Sequence, residues 1–398
     1  MAQHNWGWIH LARGKPRRRK FRRGHAPYLT RIRLYWCDSC NVPLTEMKDC
    51  SICGSTPRKV EISPPGDPFP AMEGHLERAI ATIDAQYGHG VGKLLLPSSK
   101  TIVMNKVSSL DAMYEIVVDG YVVARLRFDI PKLGYTFLLT LEGARRVGSI
   151  SKRKWVSIHD GVLKYLKDGA NLMLPGIVGC DSEIEVDDEV WIINPDGHVV
   201  GAGIARMTGR EMANETKGFA IKIRDVSDPQ LPLVNQRIAS WDDVVEANKT
   251  NLSTIEAEAV SFIKRMVASE DASVVVGFSG GKDSLVTYLL VERALGESPP
   301  IFFADTGIEL PETVQFIEDF AESRGADIIG GEAGDQFWES VDIFGPPARD
   351  FRWCCKVLKL GPAAASIADD LGGKVLSFMG QRKLESFQRS VEPRVTEN

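Results

Sequence analysis

The segment VVVGFSGGKDSL, residues 274–285, runs an apolar stretch into Gly277, then two adjacent glycines, a lysine, an aspartate and a serine. It reads as a strand delivered through a tight turn straight into a helix. Such a turn holds phosphate, because unpaired N–H groups and the positive end of the helix converge on one point. Around it, SVVVGF, PPIFFAD and GADIIG read as buried parallel strands, alternating with helices at about 284–295 and 312–324. In such a sheet ligands sit outside the carboxyl ends of the strands. Ser279, Gly280, Gly281, Lys282, Asp283 and Ser284 fall at one such end, and Asp305-Thr306-Gly307 at another.

A Walker A loop is excluded. That motif places a glycine five residues before Gly-Lys and a serine or threonine after the lysine, whereas Val276 and Asp283 stand at those positions. The hexapeptide SGGKDS resembles instead the PP-loop of ATP pyrophosphatases, which grips a pyrophosphate or the equivalent part of a nucleotide. On that resemblance Gly280 and Gly281 permit close backbone approach, Ser284 opens the helix, and Lys282 supplies charge. Asp283 orients the lysine or a magnesium ion. The stretch FFADTGIELPETVQFIEDFAESRGADI, with RWCCKVLKLGP and GQRKLESFQRS after it, closely resembles phosphoadenosine phosphosulfate (PAPS) reductases. The resemblance implies a PP-loop (HUP-like) α/β domain over residues 272–398, with Asp305, Thr306, Gly307, Glu312 and Thr313 on the adenosine side. It also implies a vicinal Cys354-Cys355 pair and a basic segment holding Arg382 and Arg389.

Family likeness leaves the reaction open. Iron–sulfur reductases surround a cluster with four cysteines; this domain has only Cys354 and Cys355, an incomplete ligand set. The chain stops at SVEPRVTEN, where relatives are expected to continue to further cysteines, so truncation or loss of that function is one expectation. Arg352 and Lys356 flank the pair, and cationic neighbours favour a thiolate. Two buried structural cysteines are the competing reading. No histidine follows His198, which excludes histidine-based acid–base chemistry in this domain. Three activities stay open: adenylation and thiolation of RNA with ATP, reduction of PAPS or adenylyl sulfate, and nucleotide sensing by an RNA-binding protein without turnover. The sulfur or thiol donor is undetermined.

Residues 1–36 contain ten Lys or Arg and no acidic residue, while the rest of the chain carries 38 basic against 53 acidic side chains, a net −15. A basic arm on an acidic body suits a polyanionic partner such as RNA, tRNA above all, touched at one end; a solubilising or targeting tail is the alternative. Cys37-x-x-Cys40 and Cys50-x-x-Cys53 then form two knuckles, which resemble a zinc ribbon with one structural zinc. So little apolar residue surrounds them that the metal is expected to supply much of the folding energy. A redox dithiol needs only one pair. With seven cysteines, four of them in a metal pattern, no signal peptide and no run of about 18 apolar residues, a cytoplasmic, reduced setting without a membrane partner is expected. The sequons at Asn248 and Asn251 then read as accidental.

The expected organisation is multidomain. Arm and ribbon take residues 1–60, a proline-rich linker 61–72, an α+β domain 73–152, a small β-barrel 153–228, linker helices 229–271 and the α/β domain the remainder. In the α+β part, strands flank a turn at Asp119-Gly120 and GHGVGK (88–93) reads as a plain loop. The barrel reading rests on a short helix ending at Gly169, then DGANLMLPGI, an acidic turn before EVWIIN, and GHVVGAGIARM. This order resembles the PUA domain, the RNA-binding module of pseudouridine synthases and archaeosine transglycosylases. The resemblance implies an RNA surface including Gly169, Ala170, Asn171, Leu174, Pro175 and Gly176. In the linker helices Ser253 with Glu256 suggests a capping box. The whole chain resembles archaeal PAPS-reductase-family proteins with a zinc ribbon and a PUA domain.

Overall fold

The computed structural model describes residues 32–64, 66–348, 351–362, 374–382 and 393–396 of the chain. Nearly all of the basic arm and Arg389 lie outside these described residues.

The first unit is a three-stranded antiparallel sheet of β1 (Leu34–Cys37), β2 (Val42–Leu44) and β3 (Arg58–Val60), in the order β2-β1-β3. Contrary to the expectation of a segment without a core, its apolar side chains are well buried. The missing partners come from about 200 residues away. Tyr35, Val42 and Leu44 pack with Ala239, Val244 and Ala247. On the other face Leu34, Trp36 and Val60 pack with Val103 and Val117.

The second unit is a five-stranded antiparallel sheet of β4 (Pro68–Pro70), β5 (Val103–Lys106), β6 (Met113–Val118), β7 (Tyr121–Asp129) and β8 (Gly134–Leu139), in that order. Helices α1 (Glu73–Tyr87) and α2 (Val91–Leu95) lie between β4 and β5, and α3 (Leu141–Gly148) follows β8. Two readings are corrected here. Residues 68–70 are no linker but the edge strand of this sheet, a place where proline is tolerated because one N–H row faces outward. GHGVGK is not a plain loop, since Val91–Leu95 is helical and the Asp84 carboxylate accepts the N–H groups of Gly90 and Gly92 at its start. The Asp119-Gly120 hairpin turn forms as expected, with both residues at positive φ.

The third unit is a six-stranded barrel-like sheet, in the order β10-β14-β13-β12-β9-β11. Its elements are β9 (Trp155–Ile158), α4 (Val162–Lys167), β10 (Leu172–Met173), β11 (Ile177–Cys180), β12 (Glu189–Ile193), β13 (Val199–Ala205), α5 (Gly209–Asn214) and β14 (Phe219–Val226). Trp191, Val199 and Ala202 turn toward the preceding sheet and join the core around Ile83, Tyr87 and Val147. The second and third units therefore share apolar packing.

An extended segment leads to α6 (Trp241–Ala247) and α7 (Lys249–Ser269). The capping box is not at Ser253, which lies inside α7. A box of this kind caps α6, where Ser240 and Asp243 bond each other's backbone N–H, and another caps α5 through Thr208 and Glu211. The sequon asparagines are buried instead of exposed. Asn248 Oδ1 accepts from Thr45 N and Nδ2 donates to Pro43 O, while Asn251 Nδ2 donates to Thr45 Oγ1.

The last unit is a four-stranded parallel sheet of β15 (Ser273–Gly277), β16 (Ile301–Phe302), β17 (Ile328–Ile329) and β18 (Val375–Met379), in the order β17-β16-β15-β18. Helices α8 (Lys282–Leu295), α9 (Pro311–Arg324) and α10 (Gln336–Phe344) connect its strands. Its core stacks Phe278 on Phe320 at 4.9 Å, with Tyr288 edge-on to both rings. The chain steps from β15 outward to β16 and β17, then returns to β18 on the opposite side. That reversal puts the switch point at the carboxyl ends of β15 and β18, where such sheets usually form their ligand crevice.

Candidate functional site

The phosphate-type loop sits at that switch point. Gly280 has φ +72°, which admits a glycine freely, and a Cβ there would press on Thr313 and Phe316. Gly281 is the N-cap of α8, so the first free N–H groups of the helix, beginning at Lys282, lie at that end of the sheet. Ser284 does not open the helix. It is buried in the first turn, where its hydroxyl donates to Gly281 O at 2.8 Å and accepts from Ser279 N at 3.2 Å, cinching the loop closed. Lys282 is exposed and makes no ion pair or hydrogen bond among the described residues.

Asp283 does not orient Lys282. Its carboxylate lies 3.0 Å from Arg382 Nε, and the same guanidinium reaches Asp67 Oδ1 through Nη1 at 3.2 Å. Arg382 follows β18, and its segment is pressed against the loop: a Cβ on Gly380 would fall 2.5 Å from Asp283 O. Asp67 and Gly380 are parts of this site that sequence reading did not single out. Gly380 lay within the GQRK stretch, whereas Asp67 stood in a proline-rich segment with no local signal.

The second expected group lies at the end of the neighbouring strand. Asp305 forms a parallel bridge with Glu332 and accepts from Gly307 N at 2.8 Å. Thr306 is buried and donates to Glu309 at 3.0 Å. Gly307, at φ +77°, passes so close to Gly334 that a Cβ would meet its carbonyl oxygen at 1.9 Å. Glu312 is exposed in the first turn of α9, and Thr313 beside it lies 3.3 Å from where a Cβ on Gly280 would sit. The strand ends thus bring Ser279–Ser284, Asp305–Gly307, Thr313 and Arg382 to one edge of the sheet.

Cys354 and Cys355 are half-buried free thiols at the start of a π-helical turn, Cys355–Leu360. Trp353 anchors that turn by donating to Gly345 O at 3.0 Å and packing against Phe337 and Phe344. Among the described residues no hydrogen bond or ion pair joins the two thiols to Lys282 or Asp283.

At the other end of the chain the sulfur atoms of Cys37, Cys40, Cys50 and Cys53 lie within 4.8 Å of one another. Sulfurs at the corners of a tetrahedron with ~2.3 Å metal bonds are about 3.8 Å apart. The Cys37–Cys53 and Cys40–Cys50 separations of 3.5 and 3.9 Å match that spacing. Each knuckle turns through a residue at positive φ, Asn41 and Gly54, and the Cys40 N–H points at Cys37 Sγ. Burial pushes the Cys37 thiol up to about 11 and Cys40 higher still, whereas hydrogen bonding with Ser55 holds Cys53 down at about 6. The cluster can hold one tetrahedral metal ion.

The expected RNA-facing residues do not all face outward. Gly169, Ala170 and Asn171 form an exposed turn after α4, with Gly169 at φ +94°. Pro175 is exposed on the following 3-10 turn, and Gly176 is half-buried with its carbonyl accepting from His159 N. Leu174 is corrected: only 5% exposed, it opens the 3-10 turn after β10 and packs its side chain into the barrel core with Leu172 and Met212. Asn171 also has a structural task, accepting from Ile223 N at 3.0 Å.

Comparison with known proteins follows the same division. The family model of the phosphoadenosine phosphosulfate reductase domain matches residues 273–398, and that of the PUA domain matches residues 154–227. An uncharacterized protein of Methanocaldococcus jannaschii is 36% identical over 378 residues, covering 93% of this chain and 78% of its own length. The tRNA-guanine(15) transglycosylase of Thermoplasma volcanium is 26% identical over 155 residues, 38% of this chain and 23% of that protein. A glutamine-hydrolyzing GMP synthase of Histophilus somni is 41% identical over 97 residues, 24% of this chain and 18% of that protein. The chain therefore spans most of the first relative and a minor part of the other two.

Proposed function

The chain belongs to the phosphoadenosine phosphosulfate reductase-domain family, in the arrangement that joins a four-cysteine module and a PUA domain to that domain, and we propose that it is an adenine-nucleotide-dependent enzyme of sulfur chemistry acting on RNA of tRNA size. The observation that supports this reading is the glycine loop at the sheet's switch point, with an exposed Lys282 that makes no ion pair or hydrogen bond among the described residues, in a chain that also carries a PUA barrel. The similarity to a tRNA-guanine(15) transglycosylase points the same way.

In this reading the loop N–H groups and Lys282 hold the β- and γ-phosphates of ATP, while Asp305, Thr306, Gly307 and Glu312 border the nucleoside. A base carbonyl oxygen attacks the α-phosphorus and pyrophosphate departs with the bonding electrons. A sulfur nucleophile from an external donor then attacks the activated base carbon, and AMP leaves. Cys354 and Cys355 are the candidate sulfur carriers. Gly169, Ala170, Asn171, Pro175 and Gly176 offer the barrel's RNA surface. The four amino-terminal cysteines hold a structural zinc ion, to which they contribute the negative charge and the cage.

The family match itself favours a second reading, reduction of PAPS or adenylyl sulfate with a nucleophilic Cys354 or Cys355. Incubation of the purified protein with ATP, with and without tRNA, separates the two. The RNA reading expects AMP and pyrophosphate only when RNA is present. Release of sulfite from PAPS or adenylyl sulfate with a thiol and no RNA overturns it in favour of reduction.

A further inference from the structure

We infer that Asp67 is a positioning residue of the nucleotide site: it holds Arg382 beside the phosphate loop from the amino-terminal side of the chain, so that this half of the protein completes a site otherwise built by the last domain. The inference rests on the nucleotide-binding reading above. Arg382 is the pivot. Its Nε lies 3.0 Å from Asp283 Oδ2 in the loop, and its Nη1 lies 3.2 Å from Asp67 Oδ1, 315 residues away in sequence.

The two carboxylates are held very differently. Asp283 rides on the loop. Asp67 stands on a rigid corner of the five-stranded sheet, where its N–H donates to the Oδ1 of Asn105 at 2.8 Å and its carbonyl accepts from Lys106 N at 3.3 Å. Asn105 is fully buried and bonded in turn to Glu115 at 2.9 Å and Ser63 O at 3.2 Å. Gly66, at φ +84°, brings the chain so close to Ile32 O that a Cβ would fall 2.6 Å away. The corner therefore cannot drift without breaking this buried network.

An arginine side chain has many rotamers, and ordering them opposes binding. A carboxylate behind the guanidinium removes that freedom before the ligand arrives. It also keeps the guanidinium at the loop when a polyphosphate competes with Asp283 for it. Asp67 directly precedes β4, the edge strand of the sheet that shares its core with the barrel.

The test uses the full chain and ATP, titrated by calorimetry. The side chains of Asp67 and Arg382 are 37% and 38% exposed, so a moderate effect is expected. Asp67→Asn should weaken ATP binding about three- to tenfold. The same substitution in an Arg382→Ala background should change nothing further, a coupling that general destabilisation does not produce. Wild-type affinity or tighter binding in Asp67→Asn overturns the inference, as does an equal loss in both backgrounds. A wild-type chain that binds no ATP, adenylyl sulfate or PAPS overturns the nucleotide reading and this inference with it.

Discussion

At the residue scale the loop separates charge from architecture. Lys282 has no partner to lose among the described residues, so Lys282→Ala should leave the melting temperature unchanged. One charged contact to phosphate is worth about 1.5–3 kcal/mol, so nucleotide affinity should fall roughly 10- to 150-fold. Calorimetry and a thermal melt on the same sample check both halves, and unchanged affinity moves the phosphate site elsewhere. Gly307 is the opposite case. Its positive φ and the Gly334 carbonyl 1.9 Å from a would-be Cβ mean that Gly307→Ala must displace backbone. A loss of about 3 kcal/mol in the stability of the last domain is expected, measured by denaturant unfolding.

At the scale of elements, the four-cysteine module depends on a helix far along the chain. Ala239, Val244 and Ala247 close its core, and Asn248 and Asn251 bond its β2 region. Metal and helix should therefore stabilise each other. Cys40→Ser, or treatment with a strong chelator, should lower the bound zinc from one per chain to none. It should also speed hydrogen exchange in residues 239–251, leaving the barrel protected. Metal analysis with exchange mass spectrometry reads both, and unchanged exchange in α6 would show that the helix stands without the metal. A smaller effect belongs to Ser240, whose capping box starts α6; Ser240→Ala should cost about 1 kcal/mol.

At the scale of the whole molecule, one buried carboxylate ties three segments together. Asp119, at the hairpin turn, accepts from Asn41 Nδ2 at 3.0 Å, Lys100 Nζ at 2.8 Å and Arg146 Nη1 at 3.0 Å. These three donors also bond the carbonyls of Arg237, Asn235 and Leu233, strapping the extended segment before α6 onto the sheet. Removing the carboxylate leaves the half-buried Lys100 ammonium without its counter-ion and the buried Arg146 with Glu142 alone, so Asp119→Ala should destabilise by about 3 kcal/mol, seen in denaturant unfolding. The basic arm is tested at this scale too. Residues 34–37 form the central strand of the first sheet, so a clean deletion stops at residue 31 and removes nine of the ten basic side chains. Fluorescence titration with tRNA at several salt concentrations should show weaker binding and a flatter salt slope, because fewer counterions are released. An unchanged slope assigns RNA contact to other surfaces.

The amino-acid sequence alone determined what short-range chemistry dictates. SGGKDS between a β-branched strand and a helix could only be a glycine loop at a strand end, two C-x-x-C knuckles could converge on one ion, and Asp119-Gly120 had to reverse a hairpin. Each is settled by neighbours within a few residues, through positive φ, thiol spacing or a helix end. Where a side chain points in a packed body is a different matter. Leu174 went into the barrel core although its neighbours in sequence face out. Ser253 stayed inside a helix because the true start was set upstream, where Ser240 caps α6 and α7 follows directly. Pro68–Pro70 became a strand because β5 offered an edge. Asp67 met Arg382, and Asn248 met Thr45, only when segments 315 and 203 residues apart were folded together. Such contacts carry no local signature, since burial and ion pairing depend on which surfaces the whole chain brings into contact.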